Sequence, residues 1–363
     1  MSQDKTRGSR TQALNVGVVG LGWAGRTHIE SYLELENVRV VAVADLDGER
    51  RAQAAKSYAV PNIYADYEEL VGREDLDIVS VATPNFLHAP VSIAALNSGR
   101  HVLCEKPLAR SSVEAQSMVD AARRAGRVLK VAFNHRARPD VEMLKRQIDM
   151  GNLGQIYLAK AYWLRRSGIP GLGSWFTNKD MAGGGPLIDL GVHVLDMALY
   201  LMGEPEVLTV SAATFAAFGP RGRGSGGPPK MQVGSPYEVE DLATAFIRFG
   251  GGAALTLETS WASYRKLEDE YGVALFGTEG GAEINVARSR IGHTLSIYTD
   301  TADLTPELPA ANSYGHRQVV REFVKVIRDG DPSQHTGRDG LYRAQIIDAC
   351  YQSAELGHEI LLG

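Results

Sequence analysis

Cysteine is scarce: only Cys104 and Cys350 occur in 363 residues, both in apolar contexts and without the short spacing of a metal site. That argues against a disulfide scaffold and for a reduced, cytoplasmic environment. Long apolar runs are missing too, since none approaches the roughly 20 residues needed to span a bilayer. The polar opening, Met1 to Arg10, is not followed by an apolar stretch that could serve as a signal-peptide core. Residues 1–12 are therefore expected to form a disordered tail. Excess charge is lacking as well: 38 Lys and Arg against 43 Asp and Glu give a net charge of −5, which offers no general attraction to nucleic acid or an anionic membrane. A small-molecule substrate suits such a chain better.

What is present is an ordinary globular composition, 44% hydrophobic and 22% charged, in a chain longer than one core usually organises. Two domains are expected, over residues 13–137 and 138–363. The first alternates short β-branched runs with helical patterns, the signature of βαβ units around a parallel sheet. The spacing predicts strands at Leu14 to Val19, Val38 to Ala44, Asp77 to Ala82, His101 to Cys104 and Val128 to Phe133. Helices are predicted at Trp23 to Leu35, Gly48 to Tyr58, Phe86 to Asn97 and Ser112 to Ala125. After residue 135 the rhythm changes. A helix at Pro139 to Met150 precedes strand-like segments at Gln155 to Arg165, Val207 to Phe218, Asp241 to Phe249, Ala253 to Ser263, Val273 to Phe276 and Leu295 to Tyr298. These suggest a large, mostly antiparallel sheet, so the fold class is α/β followed by α+β. Two amphipathic helices, Gly315 to Arg328 and Leu341 to Glu355, close the chain. The glycine- and proline-rich stretch 218–229 reads as a surface loop or an inter-subunit arm.

Gly20-Leu21-Gly22-Trp23-Ala24-Gly25 fits G-x-G-x-x-G between a predicted strand and a predicted helix, the context that gives this pattern meaning. Gly20 permits the tight turn, Gly22 lets backbone amides approach a pyrophosphate, and Gly25 allows close helix–sheet packing. Trp23 and Ala24 share that turn. Asp45 ends the second predicted strand at the position from which an acid bonds a ribose 2′-hydroxyl. It would repel a 2′-phosphate, which favours NAD over NADP, although Arg50 and Arg51 lie one helical turn downstream. Thr83, Asn85 and His88 follow a strand at its carboxyl edge, where ligands of such sheets bind. They are candidate cofactor contacts, against bland readings of Asn85 as a helix cap and His88 as a surface histidine.

Glu105-Lys106-Pro107 leaves the strand His101 to Cys104 at the same edge, which would aim the Lys106 ammonium at the nicotinamide end of the crevice. Downstream, Gly183-Gly184-Gly185-Pro186 opens a helix that carries Asp189 and His193 at i and i+4, on one face. Taken singly, a surface lysine, a helix-start acid and a core histidine are each unremarkable. In this order, together with the glycine fingerprint, they resemble the glucose–fructose oxidoreductase/inositol dehydrogenase family, Gfo/Idh/MocA, over nearly the whole chain. Asn134, Val239-Glu240-Asp241 and Ala349 to Ala354 also sit where members carry similar stretches. His135 and Ala137 depart from the basic and aromatic residues such members would place beside Asn134, a difference that bears on substrate contacts.

The resemblance implies oxidation or reduction of a sugar or cyclitol carbon, with Lys106 and His193 at the reacting oxygen and Asp189 beside them. It also implies a homodimer or homotetramer packed through the open face of the C-terminal sheet. The chemistry is consistent with those residue types. Hydride leaves a carbinol carbon as its hydroxyl proton departs, which needs a base of near-neutral pKa, and histidine supplies one. A fixed ammonium stabilises the developing alkoxide. Arg165 and Trp175 are further candidates for holding substrate, Trp175 because an indole covers the apolar face of a pyranose. Two other readings compete: a redox-neutral enzyme that cleaves glycosides by using bound NAD transiently, and a regulator that senses NAD or sugar without reacting. Asp189 and His193 could share a metal, but no third ligand stands at recognisable spacing, and none is predicted.

Overall fold

The computed structural model describes residues 13–225, 237–287, 293–309, 314–330 and 335–362. The expected tail, 1–12, and residues 226–229 of the glycine- and proline-rich stretch lie outside them. Continuous apolar runs become the largely buried strands β1 (Leu14–Val19) and β2 (Val38–Ala44), and a short, partly exposed β3 (Asn62–Tyr64) that the sequence pattern does not announce pairs with the edge of β2. β4 (Ile78–Val81), β5 (His101–Cys104) and β6 (Leu129–Val131) complete a six-stranded parallel sheet in the order β3-β2-β1-β4-β5-β6. The order reverses between β1 and β4, which is the switch point where doubly wound sheets open a ligand crevice.

The connecting helices are α1 (Trp23–Leu33), α2 (Gly48–Tyr58), α3 (Tyr67–Val71), α4 (His88–Asn97) and α5 (Ser112–Ala125). Their starts and stops follow local chemistry. Asp47 accepts from the Glu49 and Arg50 amides at the head of α2, Ser111 accepts from the Glu114 amide at the head of α5, and Gly126 closes α5 at φ +61°.

The remainder is built on α6 (Pro139–Asp149), β7 (Ile156–Arg165), α7 (Lys179–Ala182), α8 (Val192–Leu201), β8 (Val207–Phe215), β9 (Leu242–Phe249), β10 (Ala254–Ser260), β11 (Asp269–Gly277) and β12 (Gly281–Ala287). Then come β13 (Leu295–Tyr298), β14 (Asp303–Leu304), α9 (Tyr314–Asp329), α10 (Arg338–Leu356) and β15 (Ile360–Leu361). Nine strands form one sheet, β14-β13-β12-β11-β7-β10-β9-β8-β15, in which β7 and β10 run parallel and every other described pairing is antiparallel. Helices α6, α8 and α10 pack on one face. Period-two alternation sends Trp163 and Arg165 of β7 to that face, and the register pairs them with Tyr271 and Asp269 of β11. Tyr162 and Leu164 point the other way.

Helix α9 leaves this second half and lies on α1, where Val319, Val320, Phe323 and Val324 join Val16, Val18, Ile29 and Tyr32 in one buried cluster. That return brings the start of α9 to the carboxyl edge of the parallel sheet.

Candidate active site

Each glycine of the fingerprint meets a different constraint. Gly20 sits at φ +90°, and a Cβ there would lie 2.3 Å from the Ala82 carbonyl oxygen; one on Gly25 would lie 1.8 Å from the Gly20 carbonyl oxygen. Both are demanded by packing. A Cβ on Gly22 would meet nothing within 4 Å, so that position opens onto unfilled space in front of the α1 N-terminus. No side chain caps α1 and its first turn holds no acid, which leaves its amides and dipole free for an anion. Trp23 is exposed and Ala24 half-buried beside it.

Asp45 reaches across from the end of β2. Its Oδ2 accepts the Leu21 amide at 2.7 Å and its Oδ1 the Asp47 amide at 2.8 Å, and Arg50 stands 3.9 Å away. The guanidinium of Arg51 turns to the Asp45 and Leu46 carbonyls instead. After β4, the buried Thr83 hydroxyl has no partner. Asn85 donates to the Ala182 carbonyl at 2.8 Å, tying this loop to the second half rather than capping a helix. His88 is buried, its two nitrogens 2.9 Å from the Thr83 carbonyl and 2.7 Å from the Pro107 carbonyl. It braces the loop from within and is not a surface histidine.

At the end of β5, Glu105 lies 3.1 Å from His28 of α1 and 4.0 Å from His316 of α9. Burial alone would raise its carboxyl, but the contact with His28 and the neighbouring His316 and Lys106 bring it down to about 2. Asn134, in the turn after β6, points its amide nitrogen at His316, 3.4 Å away, while its Oδ1 is buried and unpartnered. His316 in turn meets the edge of Trp23, ring centroids 5.0 Å apart.

Lys106 crosses to the second half. Its ammonium donates to Asp189 Oδ1 at 2.9 Å and to the Asp189 carbonyl at 3.0 Å. The other carboxylate oxygen of Asp189 accepts the Trp261 indole N–H at 2.9 Å. Burial works against the Asp189 anion, yet Lys106 and Trp261 hold its carboxyl below the usual range. Among the described residues this carboxylate makes no bond to His193.

The pair Asp189 and His193 was expected on a regular helix. Instead Leu187–Gly191 is a π-helical turn that leads into α8, so the two residues straddle a change of helical pitch. The His193 ring keeps some accessible surface, but Nδ1 is sealed and unpartnered, which leaves Nε2 as the nitrogen open to a substrate. Burial pushes its pKa well below the ordinary histidine value, and Lys106 and His135 add to the effect. Its ring stacks on His135 at 4.6 Å, and His135 stacks in turn on Tyr271 at 5.1 Å and Trp163 at 5.5 Å. Arg165 lies over Trp163 and 3.3 Å from Asp269. Trp175 stacks on Phe176, whose ring meets Trp261 edge-on, so Trp175 stands two aromatic contacts from the Asp189 carboxylate.

The geometry thus brings Lys106 against Asp189 and near His193, with the glycine turn, Asp45 and Thr83 along the parallel sheet's edge. It adds His28, His316, Trp163, Tyr271 and Trp261, which the sequence reading did not name. An open Cβ position at Gly22, an uncapped helix N-terminus and orphaned polar atoms at Thr83 and Asn134 fit a dinucleotide.

Residues 14–133 match the oxidoreductase family with an NAD-binding Rossmann fold, and residues 141–283 match the GFO/IDH/MocA C-terminal domain. The chain is 34% identical over 353 residues to the D-glucoside 3-dehydrogenase of Escherichia coli strain K12, covering 96% of this chain and 97% of that protein. It is 32% identical to the levoglucosan dehydrogenase of Pseudarthrobacter phenanthrenivorans, covering 94% and 96%. A solved levoglucosan dehydrogenase in complex with NADH and levoglucosan superposes with a TM-score of 0.84 at 28% identity, over 96% of this chain and 99% of that one.

Proposed function

Because the chain belongs to the Gfo/Idh/MocA family of NAD-binding oxidoreductases, we propose that it oxidises a ring hydroxyl of a glucoside or anhydrosugar to the ketone, with carbon 3 the first position to test. The observation that carries this reading is the contact of Lys106, at the carboxyl edge of the Rossmann sheet, with Asp189, and the nearness of His193, whose pKa the Lys106 charge helps depress. The named dehydrogenases of glucosides and levoglucosan, similar over almost the full chain, support the substrate class.

In this reading residues 13–137 hold the cofactor and 138–363 the substrate, with α9 folded back over the cofactor edge. The α1 N-terminus and Gly22 receive the pyrophosphate, Asp45 the adenosine ribose, and Thr83, Glu105 and Asn134 line the nicotinamide end. When bound, the nicotinamide supplies the hydride acceptor. His193, kept neutral by burial, takes the hydroxyl proton at Nε2. Lys106 stabilises the alkoxide-like oxygen, and Asp189 holds the ammonium in place rather than orienting the base. Trp163, Arg165 and Trp175 shape the sugar pocket.

Purified protein incubated with NAD or NADP and a panel of glucosides, anhydrosugars and inositols, followed by nicotinamide absorbance, tests the proposal. NAD reduction with a glucoside or levoglucosan is expected; turnover of cyclitols alone, or of nothing in the panel, would overturn it. The open sheet face, with Leu164, Phe215, Leu242 and Phe246 directed outward, supports self-association in the reduced cytoplasm. Light scattering should return a dimer or tetramer.

A further inference from the structure

Glu240, ahead of β9, and Tyr351, in α10, take no part in that mechanism, yet both converge on the turn that delivers it. We infer that Glu240 and Tyr351 form a clamp that positions the catalytic turn, and that the clamp sets the rate of hydride transfer without touching substrate or cofactor. The inference rests on the roles given above to Asp189 and His193.

The Glu240 carboxylate is buried beneath the glycine turn. Its Oε2 accepts the Gly185 amide at 2.9 Å, while Oε1 accepts the Leu187 amide at 3.0 Å and the Tyr351 hydroxyl at 3.0 Å. Contact is close enough to dictate the sequence of the turn. A Cβ on Gly184 would fall 1.9 Å from the Tyr351 hydroxyl oxygen, and one on Gly185 2.1 Å from the Glu240 carbonyl oxygen. Asp189 hangs directly from this support, its amide donating to the Gly185 carbonyl at 3.1 Å.

The catalytic segment needs such a support. Its π-helical turn runs into α8 through Gly191, and neither start has a side-chain cap of its own. The orphan amides that a local Ser, Thr or Asp would ordinarily satisfy are met from another element by one carboxylate, whose charge also suits a helix N-terminus. The tyrosine hydroxyl fixes the rotation of that carboxylate. If the clamp loosens, Asp189 and His193 shift together relative to the sheet edge that carries Lys106, and the geometry for proton and hydride departure is lost.

Glu240→Gln tests the clamp, because an amide can serve only one of the two backbone N–H groups as acceptor and must present a donor to the other. Tyr351→Phe removes the hydroxyl alone, and Glu240→Asp keeps the charge on a shorter arm. With NAD and the best sugar, Glu240→Gln should lower kcat by about 100-fold, as a misplacement of reacting groups by about 1 Å does. NADH affinity should stay nearly unchanged. The primary deuterium isotope effect at the oxidised carbon should rise as chemistry becomes fully limiting. Tyr351→Phe should move the same quantities by less, and Glu240→Asp should restore part of the rate.

Amide exchange over residues 185–193 should quicken in both Glu240→Gln and Tyr351→Phe, a readout that needs no substrate and so survives failure of the glucoside reading. Folded variants with unchanged kcat and isotope effect, or with unchanged exchange over 185–193, would overturn the clamp. So would a loss of NADH affinity as large as the loss of rate. Should Glu240→Gln fail to fold, Tyr351→Phe decides by the same measurements.

Discussion

Asp45 illustrates how one side chain can both build a site and choose its ligand. It holds the Leu21 amide of the glycine turn, so Asp45→Ala should weaken both cofactors. The informative quantity is their ratio. A carboxylate facing an extra phosphate costs up to several kcal/mol, and its removal should shift the NAD:NADP preference in kcat/KM toward NADP by about tenfold or more. Titration with each cofactor measures this, and an unchanged ratio would place the 2′-position elsewhere. A second residue-scale expectation concerns His193. Burial and then the Lys106 and His135 charges depress its pKa, so the free enzyme already holds a neutral base at pH 7. The kcat/KM for oxidation should climb with pH only on the acid side of about 6.5 and run flat above it. His193→Ala should remove the limb and cost about 10²- to 10⁴-fold. Lys106→Met should slow turnover and also move the limb upward, because deleting a neighbouring cation lets the imidazole keep its proton to higher pH. A limb that stays in place in Lys106→Met would separate the two groups. Lys106, Asp189 and His193 could be found in the sequence because each sits in a short local motif. Trp163 and Tyr271 could not: their stacking depends on the β7–β11 register, and Trp261 reaches Asp189 across 72 positions. No local spacing encodes either contact.

Among the elements, the glycine turn separates packing from binding most cleanly. Gly25→Ala would push a methyl into the Gly20 carbonyl and should cost folding. Gly22→Ala adds a methyl to open space at an ordinary φ of −63°, so stability should change by only about 1 kcal/mol or less, the usual scale of a helix N-cap exchange. NAD affinity should nonetheless fall by about tenfold or more, equivalent to about 1.4 kcal/mol. Thermal melts beside NADH titrations would show the contrast, and undiminished affinity would mean that the pyrophosphate does not approach Gly22. This turn was readable because its constraints are local. Strands β1, β2 and β5 and helices α2 and α5 begin and end where apolar runs and caps place them. By contrast β3, β14 and β15 are two or three residues long and exist because a neighbouring edge was available, which no run of their own residues announces. β12 carries Gly281, Glu283 and Asn285 on its outward face and blurs the apolar signal. The π-helical turn before α8 was likewise invisible, since the groups that accept its leading amides lie on Glu240, more than fifty residues downstream.

Over the whole molecule, the cost of burying imidazoles is read as a pH dependence of stability. Five histidines in both halves and at their junction, His88, His101, His135, His193 and His316, have pKa values lowered chiefly by burial, His101 to about 4. In the unfolded chain each would titrate near about 6.5. Between the folded and unfolded values the unfolded state therefore binds more protons, so stability rises with pH, is fully present above about 6.5 and is lost as pH falls. Each such histidine contributes up to about 1.4 kcal/mol per pH unit. Acting together, such histidines draw on the margin of about 5–15 kcal/mol of a typical domain. The carboxylates act in the same direction but later. Glu105 and Asp189 have lowered values, so their contribution persists below the histidine window and disappears only as pH falls through the folded values, about 2 for Glu105. The melting temperature should accordingly drop from about pH 7 to about pH 5, before ordinary carboxylates titrate. His135→Phe should flatten that slope, because its aromatic replacement can stack on Trp163 and Tyr271 without a proton to gain. Scanning calorimetry of both proteins across that range decides the matter: a wild-type melting temperature indifferent to pH between about 7 and 5, or an identical slope in His135→Phe, would show that the buried imidazoles are not the source of acid lability.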